Sequence, residues 1–111
     1  MSMNAERNAA SAERDLQPCR QQLDRINQSL VDLLAQRMDV CRTIAGIKHV
    51  SGIPMMQPHR ITSTLDQVMA LSRSRQLRPE YLERVFELII KETCDEELRI
   101  MDALDQSRVE E

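Results

Sequence analysis

One stretch, from Leu23 to Val50, constrains the fold of this chain more than any other part of it. It reads LDRINQSLVDLLAQRMDVCRTIAGIKHV, with no Pro and with no Gly before Gly46, so nothing upstream of Gly46 is obliged to break a helix. Its apolar residues recur every three or four positions, which places them on one face of an α-helix: Leu23, Ile26, Leu30, Leu33, Leu34, Cys41, Ile44 and Ile47. The stretch therefore predicts a long amphipathic helix.

Three cations interrupt this apolar face. Arg37 and Lys48 occupy positions at which the spacing calls for apolar residues, and Arg20 continues the same face backwards. A cation on an apolar face often extends its charged end to solvent or pairs with an acid at an interface, and that alternative stays open for each of the three. Taken together, the three predict a binding site for a small anion.

The composition favours an all-α protein. Aromatic residues make up 2% of the 111 residues, and 2 Gly and 4 Pro leave few turns. The formal net charge of −3 argues against a nucleic-acid module, and no run approaches the ~18 apolar residues of a membrane span. We therefore expect one domain at most, with neither a nucleic acid nor a membrane as its partner.

Reactive side chains show no recognisable arrangement. Cys19, Cys41 and Cys94 are odd in number and lack the spacing of metal ligands. His49 and His59 have no partner spacing either, and we interpret both as solvent-facing. The N-terminal residues are polar and include acids, unlike a secretory signal. We expect reduced thiols, no metal and a cytoplasmic location.

Prolines and glycines set the predicted ends of the helices. Pro is tolerated in a first turn, and Gly followed by Pro is typical of a helix end. The predicted helices run from a start between Ala12 and Pro18 to about Val50, from Pro58 to Ser74, and from Pro79 to about Leu104. The predicted division of the chain is a disordered or frayed lead at 1–13, a domain at 14–105 and a polar tail at 106–111.

The first predicted helix is too long to stay buried in a monomer of this size. From Pro18 to Val50 it is about 50 Å long. Arg37 and Lys48 lie about three turns apart on one face, which leaves room between them for a small molecule. Arg20 is ~25 Å from Arg37 along the same axis and reaches such a ligand only from a second, antiparallel copy of the helix. We predict a homodimer with shared sites.

The third predicted helix carries a misfit of the opposite charge. Glu97 lies on its apolar face, and Thr93 lies one turn before it. Gln57 and Arg60, at the start of the second helix, are uninformative by themselves. The residues alone thus predict an all-α dimer that binds a small polyanion, such as a dicarboxylate, in a buried cationic pocket.

The pattern as a whole resembles the AroQ-type chorismate mutases. The similarity runs without gaps from about Arg20 to Leu104, and it includes LLAQR, which ends at Arg37, and FELII in the third helix. The run GIPMMQPHR is similar to that of the 4-amino-4-deoxychorismate mutases of antibiotic pathways. The resemblance implies a three-helix protomer that intertwines with a second one. It also implies a role on the shikimate pathway, in the biosynthesis of aromatic amino acids or of antibiotic precursors.

The activity implied by the resemblance is that of an isomerase without a cofactor. It converts chorismate, or 4-amino-4-deoxychorismate, to the prephenate-type product by an intramolecular [3,3] rearrangement. The protein holds the chair-like conformer and stabilises the charge that develops as the C–O bond lengthens. Two alternatives stay open: an isochorismate pyruvate-lyase, which is a related branch, and a non-catalytic helical dimer that binds a small dicarboxylate.

Site roles follow from the resemblance position by position. Arg37 and the partner subunit's Arg20 are expected to bind the two substrate carboxylates, and Lys48 to donate to the ether oxygen. Arg60 is expected to assist a carboxylate or to order the site. Thr93 stands where the family often has a Ser that contacts a carboxylate.

Three positions depart from the bacterial pattern. Glu97 stands where bacterial members commonly have a Gln that donates to the ether oxygen. A carboxyl donates only while it is protonated, so we expect the rate to fall with rising pH. Gln57 replaces a common Asp. Ile61 replaces a Glu that accepts a hydrogen bond from the C4 hydroxyl, so recognition at C4 has changed. Isochorismate pyruvate-lyases also lack the acid at this position, whereas the run GIPMMQPHR favours the 4-amino substrate.

Overall fold

A computed structural model of the chain describes residues 2–110, with side-chain environments for residues 3–107. These residues form three α-helices and no strand: α1 Ser2–Ser51, α2 Pro58–Ser74 and α3 Pro79–Glu110. The predicted all-α class with three helices is therefore confirmed. The chain forms two compact units, one up to Arg37 and one from Met38 onward.

α1 begins earlier than predicted. We expected a start between Ala12 and Pro18, but the helix starts at Ser2 and contains Pro18 in its interior. The upstream residues are rich in Ala, Glu and Arg, which favour a helix. Pro18 has no N–H, so the carbonyl of Arg14 loses its helical hydrogen bond. Water can donate to that carbonyl instead, because every described side chain from 3 to 36 is exposed.

The other helix bounds agree closely with the predicted ones, apart from the end of α3. α2 runs from Pro58 to Ser74 and α3 starts at Pro79, as predicted. α3 passes the expected end near Leu104 because the following residues contain no Pro or Gly. Met1, the first residue of the predicted lead, and Glu111, the last residue of the predicted tail, lie outside the described residues. The predicted domain limits stay a prediction.

The unit up to Arg37 is helical and leaves its apolar face uncovered. Leu23, Ile26, Leu30 and Leu33 are 57%, 49%, 57% and 61% exposed. A helix whose large aliphatic residues stay in water gains little from folding, because burial of such side chains supplies most of the stabilising free energy. An exposed apolar face of this kind is typical of a protein–protein interface.

The unit from Met38 combines the last turns of α1 with α2 and α3. Side-chain contacts join Cys41 to Thr93 and His49 to Asp105, so the end of α1 runs in the same direction as α3. The buried apolar residues among the described ones are Cys41 and Ala45, and Ala45 is fully buried.

Two turns with left-handed backbone link the helices of this unit. Gly52 has φ +67° just after α1, and the amide of Ile53 donates to the carbonyl of Lys48 at 3.0 Å. Gln76 has φ 58° between α2 and α3, where the amide of Leu77 donates to the carbonyl of Ser72 at 3.0 Å.

In the described part of the chain, none of the helices has the length and apolar character that a membrane span requires.

Candidate active site

A buried cation–carboxylate pair joins the end of α1 to α3. Lys48 Nζ lies 3.4 Å from Glu97 Oε2, and the two side chains are 14% and 6% exposed. Lys48 Nζ also donates to the carbonyl of Met55 in the α1–α2 loop at 2.8 Å. Removing two charges from water costs several kcal/mol each, so such a pair is rarely retained for stability alone. Lys48 and Glu97 are two of the charged residues that the sequence places on apolar helix faces.

Thr93 lies beside this pair, one turn before Glu97. It is 9% exposed, and its hydroxyl donates to the carbonyl of Ile89 at 2.9 Å. The thiol of Cys41 makes a weak hydrogen bond to the Thr93 hydroxyl at 4.0 Å. Sequence reasoning treated Cys41 only as an apolar residue, and its contact with Thr93 was not predicted.

The start of α2 supplies three further predicted residues. Gln57 is the N-cap of α2, and its carbonyl accepts hydrogen bonds from the amides of Arg60 at 2.9 Å and Ile61 at 3.4 Å. Its side chain makes no capping hydrogen bond. Arg60 is exposed on the first turn, whereas Gln57 and Ile61 are half-buried.

Ile61 borders a cavity of about 350 Å³ between α2 and α3. The cavity is lined mainly by hydrocarbon and sulfur-containing side chains, with three charged residues of α3 among them: Met56, Ile61, Leu65, Glu87, Ile90, Lys91, Cys94, Asp95 and Leu98. The wall that Ile61 contributes offers no hydrogen-bond acceptor. Lys48, Thr93 and Glu97 are not among the residues that line this cavity, so the cavity is distinct from the Lys48–Glu97 pair.

Two of the predicted cations lie in the first unit. Arg20 is 52% exposed and donates to Glu13 Oε2 at 2.7 Å, two turns upstream on α1. Arg37 is half-buried at the end of this unit. The predicted grouping of these arginines with Lys48 in one site stays a prediction.

His49 was interpreted as solvent-facing, and this interpretation is wrong. Its side chain is 13% exposed, and its Nε2 lies 2.7 Å from Oδ1 of Asp105. No signal in the sequence indicated this contact, because His49 and Asp105 belong to different helices and neither interrupts an apolar face. His59 is exposed, as predicted.

The pKa of the Cys94 thiol depends on the charges of Glu97 and Lys48. Burial and the nearby Glu97 carboxylate raise the pKa of the Cys94 thiol, and the Lys48 ammonium opposes this effect. A thiol with a raised pKa carries less of the reactive thiolate at neutral pH. Alkylation of Cys94 is therefore sensitive to the charge on Glu97.

We expect Glu97→Gln to accelerate alkylation of Cys94 by about two- to threefold at neutral pH, because removal of the carboxylate charge raises the thiolate fraction. The measurement is the rate of iodoacetamide labelling, followed by mass spectrometry of peptides. The exposed Cys19 is the internal control, and its rate should be the same in both proteins. An unchanged Cys94 rate would show that Glu97 is uncharged in the free protein or remote from the thiol.

The fold and the buried pair define a class of protein. An all-α chain that holds a desolvated ammonium beside a carboxylate and a buried hydroxyl has the groups to bind and polarise a small anion. A family model described as chorismate mutase type II matches residues 19–98, which is more than half of the chain and contains every predicted site residue. The chain belongs to the type II chorismate mutase family.

Curated relatives agree with this assignment. A 4-amino-4-deoxychorismate mutase of Streptomyces pristinaespiralis is 33% identical over 85 residues, which cover 77% of this chain and 66% of that protein. A protein of the same name from Streptomyces venezuelae is 32% identical over 87 residues, or 78% and 84% of the two chains. A secreted chorismate mutase of Mycobacterium tuberculosis is 29% identical over 79 residues, or 71% and 36%.

These similarities confirm the predicted class of enzyme, an isomerase of the chorismate mutase type. They also confirm the resemblance to the 4-amino-4-deoxychorismate mutases. The matched segment spans slightly less than two thirds of the Streptomyces pristinaespiralis protein. The choice of substrate, the roles of single residues and the assembly of the chain belong to the proposals below.

Proposed function

We propose that this protein catalyses the [3,3] rearrangement of a chorismate-type dianion without a cofactor, and that its preferred substrate is 4-amino-4-deoxychorismate. The observation that carries the proposal is the half-buried ammonium of Lys48, which is held by the buried Glu97 carboxylate and the Met55 carbonyl. An ammonium has three donors, and these contacts use two of them. A fixed cation in a water-poor site stabilises the charge that develops on the ether oxygen.

The preference for the 4-amino substrate has two supports. The two Streptomyces relatives carry the name 4-amino-4-deoxychorismate mutase at 33% and 32% identity. The half-buried Ile61 contributes an apolar wall at the position where the family commonly has an acceptor for the C4 hydroxyl. Loss of that acceptor removes a hydrogen bond to the C4 hydroxyl of chorismate, so the site no longer favours the hydroxyl at this position. The choice of the amine itself rests on the names of the two relatives.

In the proposed mechanism, each polar group has one task. Lys48 donates to the ether oxygen, and Glu97 adds a second hydrogen bond there while its carboxyl is protonated. Arg37 and the partner subunit's Arg20 bind the two carboxylates, and Arg60 assists one of them. Thr93 contacts a carboxylate, and Gln57, whose side chain makes no capping hydrogen bond, contacts the substrate from the start of α2. The proton content of the substrate does not change, so no general base is required.

We further propose that the chain is a homodimer in which the α1 helices pair antiparallel. The apolar face at Leu23, Ile26, Leu30 and Leu33 is exposed in the single chain, and burial of aliphatic side chains stabilises by about 1.5–3 kcal/mol each. A second copy of the same face is a self-complementary cover. The arrangement would bring Arg20 of one protomer to the site that contains Lys48 of the other.

The cytoplasmic location is part of the same proposal. Cys19, Cys41 and Cys94 are free thiols, which fits a reducing compartment. One relative is named a secreted chorismate mutase, so membership of the family leaves the location open. Fractionation of cells that express the full chain, with antibody detection, tests the proposal directly.

An assay panel tests the substrate assignment. Purified protein is incubated with chorismate, 4-amino-4-deoxychorismate and isochorismate in the presence of a chelator, and products are followed by mass spectrometry. We expect 4-amino-4-deoxychorismate to give the largest kcat/KM, because the two Streptomyces relatives carry that name and Ile61 offers chorismate no acceptor for its C4 hydroxyl, a contact worth ~1–2 kcal/mol. Larger turnover of chorismate would reverse the assignment, and release of pyruvate from isochorismate would indicate a lyase. Absence of all turnover would favour a non-catalytic dimer.

The proposed role of Glu97 predicts that Gln can replace it and that Ala cannot. The side-chain amide of Gln donates a hydrogen bond to the ether oxygen, whereas Ala has no donor. We expect Glu97→Gln to keep most of the wild-type kcat and Glu97→Ala to lower kcat by about 100-fold. Equal kcat values in Glu97→Ala and the wild-type protein would contradict this role.

A further inference from the structure

The last turn of α1 is tied to α3 at two points, and the proposed function uses only the first. That first point is the Lys48–Glu97 pair. At the second, His49 Nε2 lies 2.7 Å from Asp105 Oδ1, which is hydrogen-bond distance. His49 is 13% exposed and Asp105 is 66% exposed, so the imidazole is the enclosed partner.

Two separated contacts constrain a helix end more than one contact does. Glu97 and Asp105 lie about two turns apart on α3, or ~12 Å along its axis. Lys48 and His49 are neighbours on α1, and their side chains leave the axis ~100° apart. A single contact acts as a pivot, whereas two contacts in different directions fix both the rotation and the tilt of the last turn.

The same turn determines the path of the α1–α2 loop. The amide of Ile53 donates to the carbonyl of Lys48 at 3.0 Å, and Gly52 allows the left-handed turn that this bond requires. The loop then returns the carbonyl of Met55 to within 2.8 Å of Lys48 Nζ. A rotation of the last turn therefore displaces both the ammonium and the carbonyl that orients it.

We propose that the His49–Asp105 hydrogen bond is a positioning contact for Lys48. It holds the last turn of α1 in the rotation that directs the ammonium into the site, and both residues act through Lys48. The inference rests on the proposed function, in which Lys48 donates to the substrate. The charged groups beside His49 are Lys48 on its own helix and Asp105 on α3.

The test is a double-mutant cycle with kcat and KM measured separately. His49→Ala and Asp105→Ala should each lower kcat about tenfold, because small misplacements of a catalytic group are costly. KM should change by less than about twofold, since the arginines that bind the carboxylates lie elsewhere. The double variant should be no worse than either single variant. Asp102→Ala, an exposed acid one turn away on α3, is the matched control and should resemble wild type.

A conservative variant separates positioning from a loss of folding. In His49→Gln the side-chain amide nitrogen lies near the position of the imidazole Nε2 and can donate to Asp105. We expect this variant to recover most of the wild-type kcat. Equal losses of kcat in His49→Gln and His49→Ala would overturn the proposal, and so would additive losses in the double variant.

Lys48→Met, assayed in parallel, distinguishes failure of this inference from failure of the proposed function. If Lys48→Met is inactive while His49→Ala and Asp105→Ala keep wild-type kcat, the positioning contact is refuted and the proposed function stands. If Lys48→Met keeps wild-type kcat, Lys48 has no part in the mechanism and the positioning role is refuted, although the activity stands. If the wild-type protein turns over none of the substrates, the proposed function fails and the positioning role fails with it.

Discussion

Replacing Lys48 by Met should lower kcat by a factor of about 100 or more. Met keeps the length of the side chain but removes the charge that faces the developing negative charge of the ether oxygen. The change also leaves the Glu97 carboxylate, whose side chain is 6% exposed, without its cation. Leaving one member of a buried pair unpaired costs about 3 kcal/mol or more, so a lower melting temperature is expected as well.

A second variant separates the loss of activity from the loss of stability. Lys48→Met combined with Glu97→Gln replaces both charges, which should restore most of the melting temperature while kcat stays low. Lys91→Met is the matched control, because Lys91 is 72% exposed and pairs with Asp95 on the surface of α3. It should keep both activity and stability. Wild-type kcat in Lys48→Met would remove Lys48 from the mechanism.

Mixing two inactive variants should restore activity if the sites are shared across a dimer. Arg20→Ala and Arg37→Ala are each expected to lose at least about 100-fold in kcat/KM, because each removes a cation that we propose binds a substrate carboxylate. In a mixed dimer, the intact Arg37 of one protomer meets the intact Arg20 of the other. After complete subunit exchange, one quarter of all sites should be intact, so activity should rise to about a quarter of the wild-type value.

The controls for this experiment address exchange and folding. Each variant alone is taken through the same mild unfolding and refolding and should stay inactive. Arg25→Ala, an exposed cation on the same helix, should keep wild-type activity by itself. A mixture whose activity equals the sum of the two separate variants would show that Arg20 and Arg37 do not complete a site across protomers, provided that mass spectrometry detects mixed dimers.

Much of the fold follows from local features of the chain. Pro58 and Pro79 fix the starts of α2 and α3, because proline fits a first turn and excludes the preceding residue from the helix. Gly52 marks the end of α1 for the same kind of local reason. The start of α1 was predicted too late, because Pro18 was weighed as a helix start. In a fully exposed segment the cost of an interior proline is tolerated.

Part of the candidate site was also visible in the sequence. Lys48 and Glu97 were singled out because a charge on an apolar helix face is unusual, and in the structure Lys48 is half-buried and Glu97 is buried. His49 and Asp105 were missed because both lie where a helix ordinarily meets solvent, and neither breaks a pattern. The carbonyl of Met55 carries no sequence signal at all, since every residue has one.

The sequence by itself determined the helical class, the amphipathic face of α1, the positions of α2 and the start of α3, and the charged residues that do not belong on apolar faces. Only the tertiary structure decided that Lys48 meets Glu97 and Met55, and that His49 meets Asp105. The physical reason is one of range. Periodicity and turn residues report how each side chain is oriented about its own helix axis. Which side chains of different helices meet depends on the relative rotation and axial shift of those helices, which packing of the whole unit determines.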